Sequence, residues 1–111
     1  MLDLINEMND LSAKLSATGE QLQRYGRAYA EAERDYKIVL RQEALKLRSD
    51  EHMPVTLIDK VVYGIPEVAD KRFRRDVAET MYKTAQESIN TLKLKMRILD
   101  AQIAREWHSN G

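Results

Sequence analysis

Seam-type residues recur at alternating spacings of four and three through the first half of this chain: Leu4, Met8, Leu11, Leu15, Thr18, Leu22, Tyr25, Tyr29, Ala32, Tyr36 and Val39. An α-helix turning every ~3.6 residues keeps such a stripe on one face, and that face is stable when it packs against another helix. The mean period of ~3.5 residues also predicts a left-handed supercoil. The stripe therefore specifies a long helix with a helical partner. It names no chemistry.

A second stripe supplies the partner: Ala78, Tyr82, Ala85, Ile89, Leu92, Met96, Leu99 and Ile103. Trp107 falls one residue out of phase, where a fraying end would fold it back over the seam. Between the stripes stand Pro54, Gly64 and Pro66, the only dense turn signals in a chain with four Gly and two Pro. The pattern predicts one all-α domain: a long antiparallel two-helix coiled-coil hairpin with a short helical tip, assembling into an oligomeric helical bundle. Its boundaries are helix 3–50, tip 51–65 and helix 66–108. Pro66 suits a first helical turn, and Glu67 and Asp70 suit the positive helix end. At ~1.5 Å per residue each long helix spans about 60–70 Å.

Facing positions of an antiparallel pair sum to a constant. A sum of 114 sets Tyr36 against Ala78, Tyr82 against Ala32 and Tyr29 against Ala85, each ring meeting a methyl group. A sum of 121 crowds Tyr29 onto Leu92 and Tyr25 onto Met96, so 114 is the expectation. It also brings Asp3, Glu7 and Asp10 near Lys93, Lys95, Arg97 and Arg105. Tyrosine hydroxyls in the seam then draw on Thr18 or on flanking charges. Gly19 and Gly26 weaken the helix where they stand, which means either close approach by a neighbour or plain local weakness.

In the tip, Thr56 reads as an N-cap with Asp59 three residues on, and Gly64 closes a helix of about two turns. The rival is a β-hairpin, because Val55-Thr56-Leu57-Ile58 and Val61-Val62-Tyr63 are β-branched and aromatic. Asp59-Lys60 is a poor hairpin turn, so the helix is expected.

Several apolar residues lie off the seam. Phe73, Val77 and Met81 form one strip and Leu94, Ile98 and Ala101 another, while Leu40, Ala44 and Leu47 drift off the seam of the first helix. An isolated hairpin leaves such residues wet, and exposed apolar surface marks interfaces. The two strips of the second helix are the candidate oligomer interface, implying a dimer or larger bundle.

Lys71-Arg72-Phe73-Arg74-Arg75, with Lys46 and Arg48 nearby in the antiparallel arrangement, is the densest basic cluster. As a functional site it would hold phosphates and stack Phe73 on single-stranded bases. As an ordinary solvated face it is offset by the i,i+4 pairs Glu67–Lys71, Asp70–Arg74, Arg72–Asp76 and Arg75–Glu79. Lys+Arg and Asp+Glu both number 18, so no bulk charge draws the chain to nucleic acid or membrane.

Nothing in the sequence assembles a catalytic or cofactor site. There is no cysteine, His52 and His108 are isolated, and no Gly-rich phosphate loop is present. The expectation is a non-enzyme without cofactors. No apolar run approaches the ~20 residues of a membrane span, and the start lacks a signal-peptide pattern, so a cytoplasmic protein is expected.

Pro54-Val55-Thr56-Leu57-Ile58, Arg74-Arg75-Asp76-Val77-Ala78-Glu79, Ile89-Asn90-Thr91-Leu92-Lys93-Leu94 and Gln102-Ile103-Ala104-Arg105-Glu106-Trp107 resemble small proteins of phages and prophages of Gram-positive bacteria. The likeness covers roughly residues 40–107. It implies an early gene product from the neighbourhood of single-strand binding and recombination functions, acting in a bacterial host cell. That family carries no established activity, so it assigns no functional residue.

The first functional expectation is an interaction or structural protein that self-associates and binds a phage or host protein. The alternative is an accessory nucleic-acid-binding protein using the basic tip. Secreted helical hairpins with Trp-x-Gly at the turn are set aside, since that motif is absent and Tyr29-Ala30-Glu31-Ala32-Glu33 stands on the wrong helix for their Tyr-x-x-x-Asp/Glu signal. A prefoldin-like chaperone requires strands over residues 55–63.

Overall fold

A computed structural model describes residues 1–110. In chain order they form α1 (Leu2–Ser49), α2 (Val55–Val61), a 3-10 turn (Val62–Gly64) and α3 (Pro66–Asn110), with no strand among the described residues. The chain is an all-α helical hairpin, and the prefoldin-like reading, which needed strands at 55–63, falls. The chain divides into two compact units. The turn unit is Tyr25–Met81, and the terminal unit is Met1–Arg24 with Tyr82–Gly111.

Every residue of both 4-3 stripes is buried or half-buried. Spacing alone therefore specifies the seam residue for residue. Trp107 corrects the expectation at the second stripe's end: it stays helical and is 70% exposed. One residue out of phase is enough to carry the indole off the covered face.

In the turn unit, α1 ends through a left-handed residue, His52 (φ 52°). The Met53 N–H donates back to the Leu47 carbonyl at 3.1 Å, and Arg48 Nη1 donates to the Met53 carbonyl at 3.2 Å. These bonds take up backbone groups that a helix end leaves open. Pro54, extended at φ −60° and ψ 144°, then caps α2. Its carbonyl accepts from the Leu57 and Ile58 N–H groups at 3.0 and 3.1 Å. The helix thus starts earlier than Thr56, which lies inside it and caps nothing. A proline needs no N–H at a helix start, so the chain uses the one residue that forfeits no bond there. Gly64 does end the helical tip, though without a positive φ. Ile65 is extended (φ −66°, ψ 128°), as the residue before a proline must be, and its carbonyl accepts from Ala69 at 2.9 Å as α3 begins.

The core of this unit is Tyr36, Ile58, Val62 and Val68, drawn from α1, α2, the 3-10 turn and α3. Leu40, Ala44 and Leu47, expected to be wet, are partly buried against it. The reason is the register. Arg75 meets Glu33 at 3.8 Å, and its guanidinium lies 4.7 Å over the Tyr36 ring. These pairs sum to 108 and 111, not 114, and put Arg75 rather than Ala78 on Tyr36. Pro66 then stands level with about residues 42–45, so the last turns of α1 overhang the start of α3. Helix α2 lies on that overhang and covers Leu40, Ala44 and Leu47.

In the terminal unit α1 and α3 pair antiparallel. The Met1 ammonium stands 3.8 Å from Glu106, and Leu11 lines one hollow with Leu99. The first pair sums to 107, again short of 114. Leu11, Ala85 and Leu99 are its buried side chains among the described residues.

Candidate functional site and interaction surfaces

The basic cluster is largely occupied by the protein itself. Arg74 Nε bonds Asp70 at 3.1 Å, as the i,i+4 spacing predicts. Arg72 turns instead to the Tyr63 ring, 5.5 Å from its centroid. Arg75 bonds Asp76 at 2.9 Å besides bridging to Glu33 and Tyr36. Partial burial acts to lower its pKa, but the Asp76 hydrogen bond and the Asp76 and Glu33 carboxylates outweigh it, so the guanidinium holds its proton more firmly than usual. Lys46 pairs with Glu43 at 3.2 Å, and Arg48 ties down the Met53 carbonyl. Only Lys71 among the six cations keeps no partner. Phe73 stands out at 66% exposure.

Tyr29 uses a flanking charge, as expected, donating its hydroxyl to the Glu33 carboxylate. Thr18 does not serve the tyrosines, because its hydroxyl donates to the Lys14 carbonyl of its own helix at 2.8 Å. Lys95 comes beside Glu7 and Asp10 as predicted, lining one hollow with them, but without an ion pair. A Cβ built on Gly19 would meet nothing within 4 Å, which removes close approach as the reason for that glycine and leaves local helix weakness.

The apolar residues assigned to an interface are exposed. Leu94 is 51% and Ile98 59% accessible in the terminal unit, with Ala101 exposed beside them. In the turn unit Phe73, Val77 and Met81 are likewise exposed. Sequence reasoning missed one further feature there. A groove of about 690 Å³ opens between α1 and α2, lined by Ile38, Leu40, Ala44, Leu45, Val55 and Ile58, with Lys37, Arg41 and Asp59 also on it. The signal was faint: Ile38 and Leu45, seven apart, are apolar yet off the stripe. The groove exists only because α2 docks on α1, and no local pattern encodes that docking.

Among the described residues no three His, Asp or Glu side chains converge as a metal site would require. Nor, among the described residues, is any helix long and apolar enough to cross a membrane. No protein-family model, curated protein or solved structure matches this chain.

Proposed function

We propose that the chain is a non-enzymatic helical interaction protein, of phage or prophage type, that self-associates and binds another protein. One contrast carries this reading: both seams are buried or half-buried throughout, while Phe73, Val77, Met81, Leu94 and Ile98 stay open on α3. A hairpin needs none of those side chains to hold its own helices together. Exposed apolar residues in such number on one helix fit docking partners better than solvent. Light scattering after size exclusion tests the self-association. A mass above 12.9 kDa at tens of micromolar is expected, and a clean monomer removes that part of the reading.

The nucleic-acid alternative has one observation in its favour, the exposed Phe73 beside Arg72. The internal pairing of Lys46, Arg48, Arg72, Arg74 and Arg75 weighs against it, since a phosphate would have to displace those partners. Titration of single-stranded DNA at low salt is expected to show no binding. Binding that is lost when Lys71, Arg72, Arg74 and Arg75 become Ala would reverse the preference.

A further inference from the structure

Within the terminal unit, the exposed strip of α3 is bounded by two opposite charges. Glu87 and Arg105 are both exposed, and neither has an ion-pair partner among the described residues. They stand 18 residues apart, which at ~3.6 residues per turn is five turns, so both lie on one helix face. Thr91, Leu94, Ile98 and Ala101 occupy that face between them. The strip therefore reads acid, small polar, large apolar, large apolar, small apolar, base.

Such a sequence is complementary to itself when reversed. The geometry points to a second copy of this chain as the occupant, with α3 packed antiparallel on its counterpart about a two-fold axis near residue 96. This rests on the self-association proposed above and names its surface. In that arrangement Glu87 meets Arg105 of the other copy twice over, Leu94 meets Ile98, and Thr91 meets Ala101. A two-fold contact requires this property, since each copy presents the same patch to the other. Lys95 comes close to its own counterpart at the edge of the contact, where Glu7 and Asp10 already line the hollow beside it. The outcome is a four-helix bundle over the terminal unit, with the thin two-helix seam gaining a second layer.

Charge reversal separates this geometry from other modes of association. Sedimentation equilibrium on the full chain at low salt is expected to give a dimer. Glu87→Arg or Arg105→Glu alone turns two attractive pairs into two repulsive ones and should weaken the dimer about tenfold or more. The doubly reversed chain, E87R with R105E, restores both pairs and should recover affinity to within about threefold of the original. All six positions of the strip are solvent-exposed, so helicity by circular dichroism should not change. A dimer indifferent to the single reversals, or a double variant no tighter than the singles, overturns the geometry while leaving self-association standing. A monomer at 100 µM, a concentration chosen well above about micromolar affinity, overturns both.

Discussion

The two units follow the same 4-3 rule yet reach different degrees of burial. In the turn unit Val68 is fully covered and Val62 is 2% exposed, because a third element lies across the paired helices. In the terminal unit two helices meet, and among the described residues Leu99 and Ala85 at 5% and Leu11 at 9% are as deep as it goes. Two helices can shield a line of side chains from each other but leave both flanks open. A layer on the flank is what completes a core. The turn unit makes that layer from its own chain with α2, whereas the terminal unit has no third element among the described residues.

Equal cavities cut in both units should have unequal effects. Ile58→Ala removes a side chain enclosed by α1, α2 and α3 elements, where surrounding groups cannot close the gap. It should cost about 3 kcal/mol in urea unfolding. Leu99→Ala removes one facing a single helix with solvent on the flanks, where collapse is easier, and should cost about 2 kcal/mol. If the Leu99 variant is hit as hard or harder, the terminal unit is not the thinner one.

A gain is expected at Gly19. The helix pays conformational entropy there and nothing occupies the space beyond its Cα. Gly19→Ala should stabilise the chain by about 1 kcal/mol, read as a raised midpoint of thermal unfolding. Loss of stability would mean that this face of the terminal unit is closely covered in solution, and would move the interface away from α3.

The seam was legible because periodicity is a local property: each apolar residue declares its face relative to the next turn. Pro66 was legible for the same reason, since a proline constrains its own neighbours, whereas Pro54 reads from the sequence only as a turn signal and the cap it supplies to α2 falls to Thr56 there. The register was not. Matching Tyr36 to Ala78 by size ignored that Arg75 can lay an aliphatic stem and a flat guanidinium on the ring while still reaching Glu33. That choice shifts α3 by about a turn and creates the overhang on which α2 rests. Covering Leu40, Ala44 and Leu47 followed from the shift, so one misjudged contact hid both the turn-unit core and its groove.

The smallest expected effect tests whether that same electrostatic tie distinguishes the turn unit. Tyr29 holds its proton above the ordinary value of 10.0 because of partial burial first, then its hydrogen bond to Glu33 and the nearby Glu33 and Glu79 carboxylates, with Arg75 opposing. A tyrosine in the unfolded chain ionises from about pH 10 upward. Since the folded chain releases the same proton later, the folded state binds more protons in that window, and stability falls as pH rises. The contribution is whole below pH 10 and disappears through the higher folded value. Tyr29→Phe cannot ionise, so its unfolding midpoint should decline less steeply than the original chain's between about pH 9 and 11. All other tyrosines and lysines are common to both proteins and cancel in the difference. Parallel curves would show that Tyr29 ionises as freely folded as unfolded, and that the Glu33 carboxylate shapes the seam by packing alone.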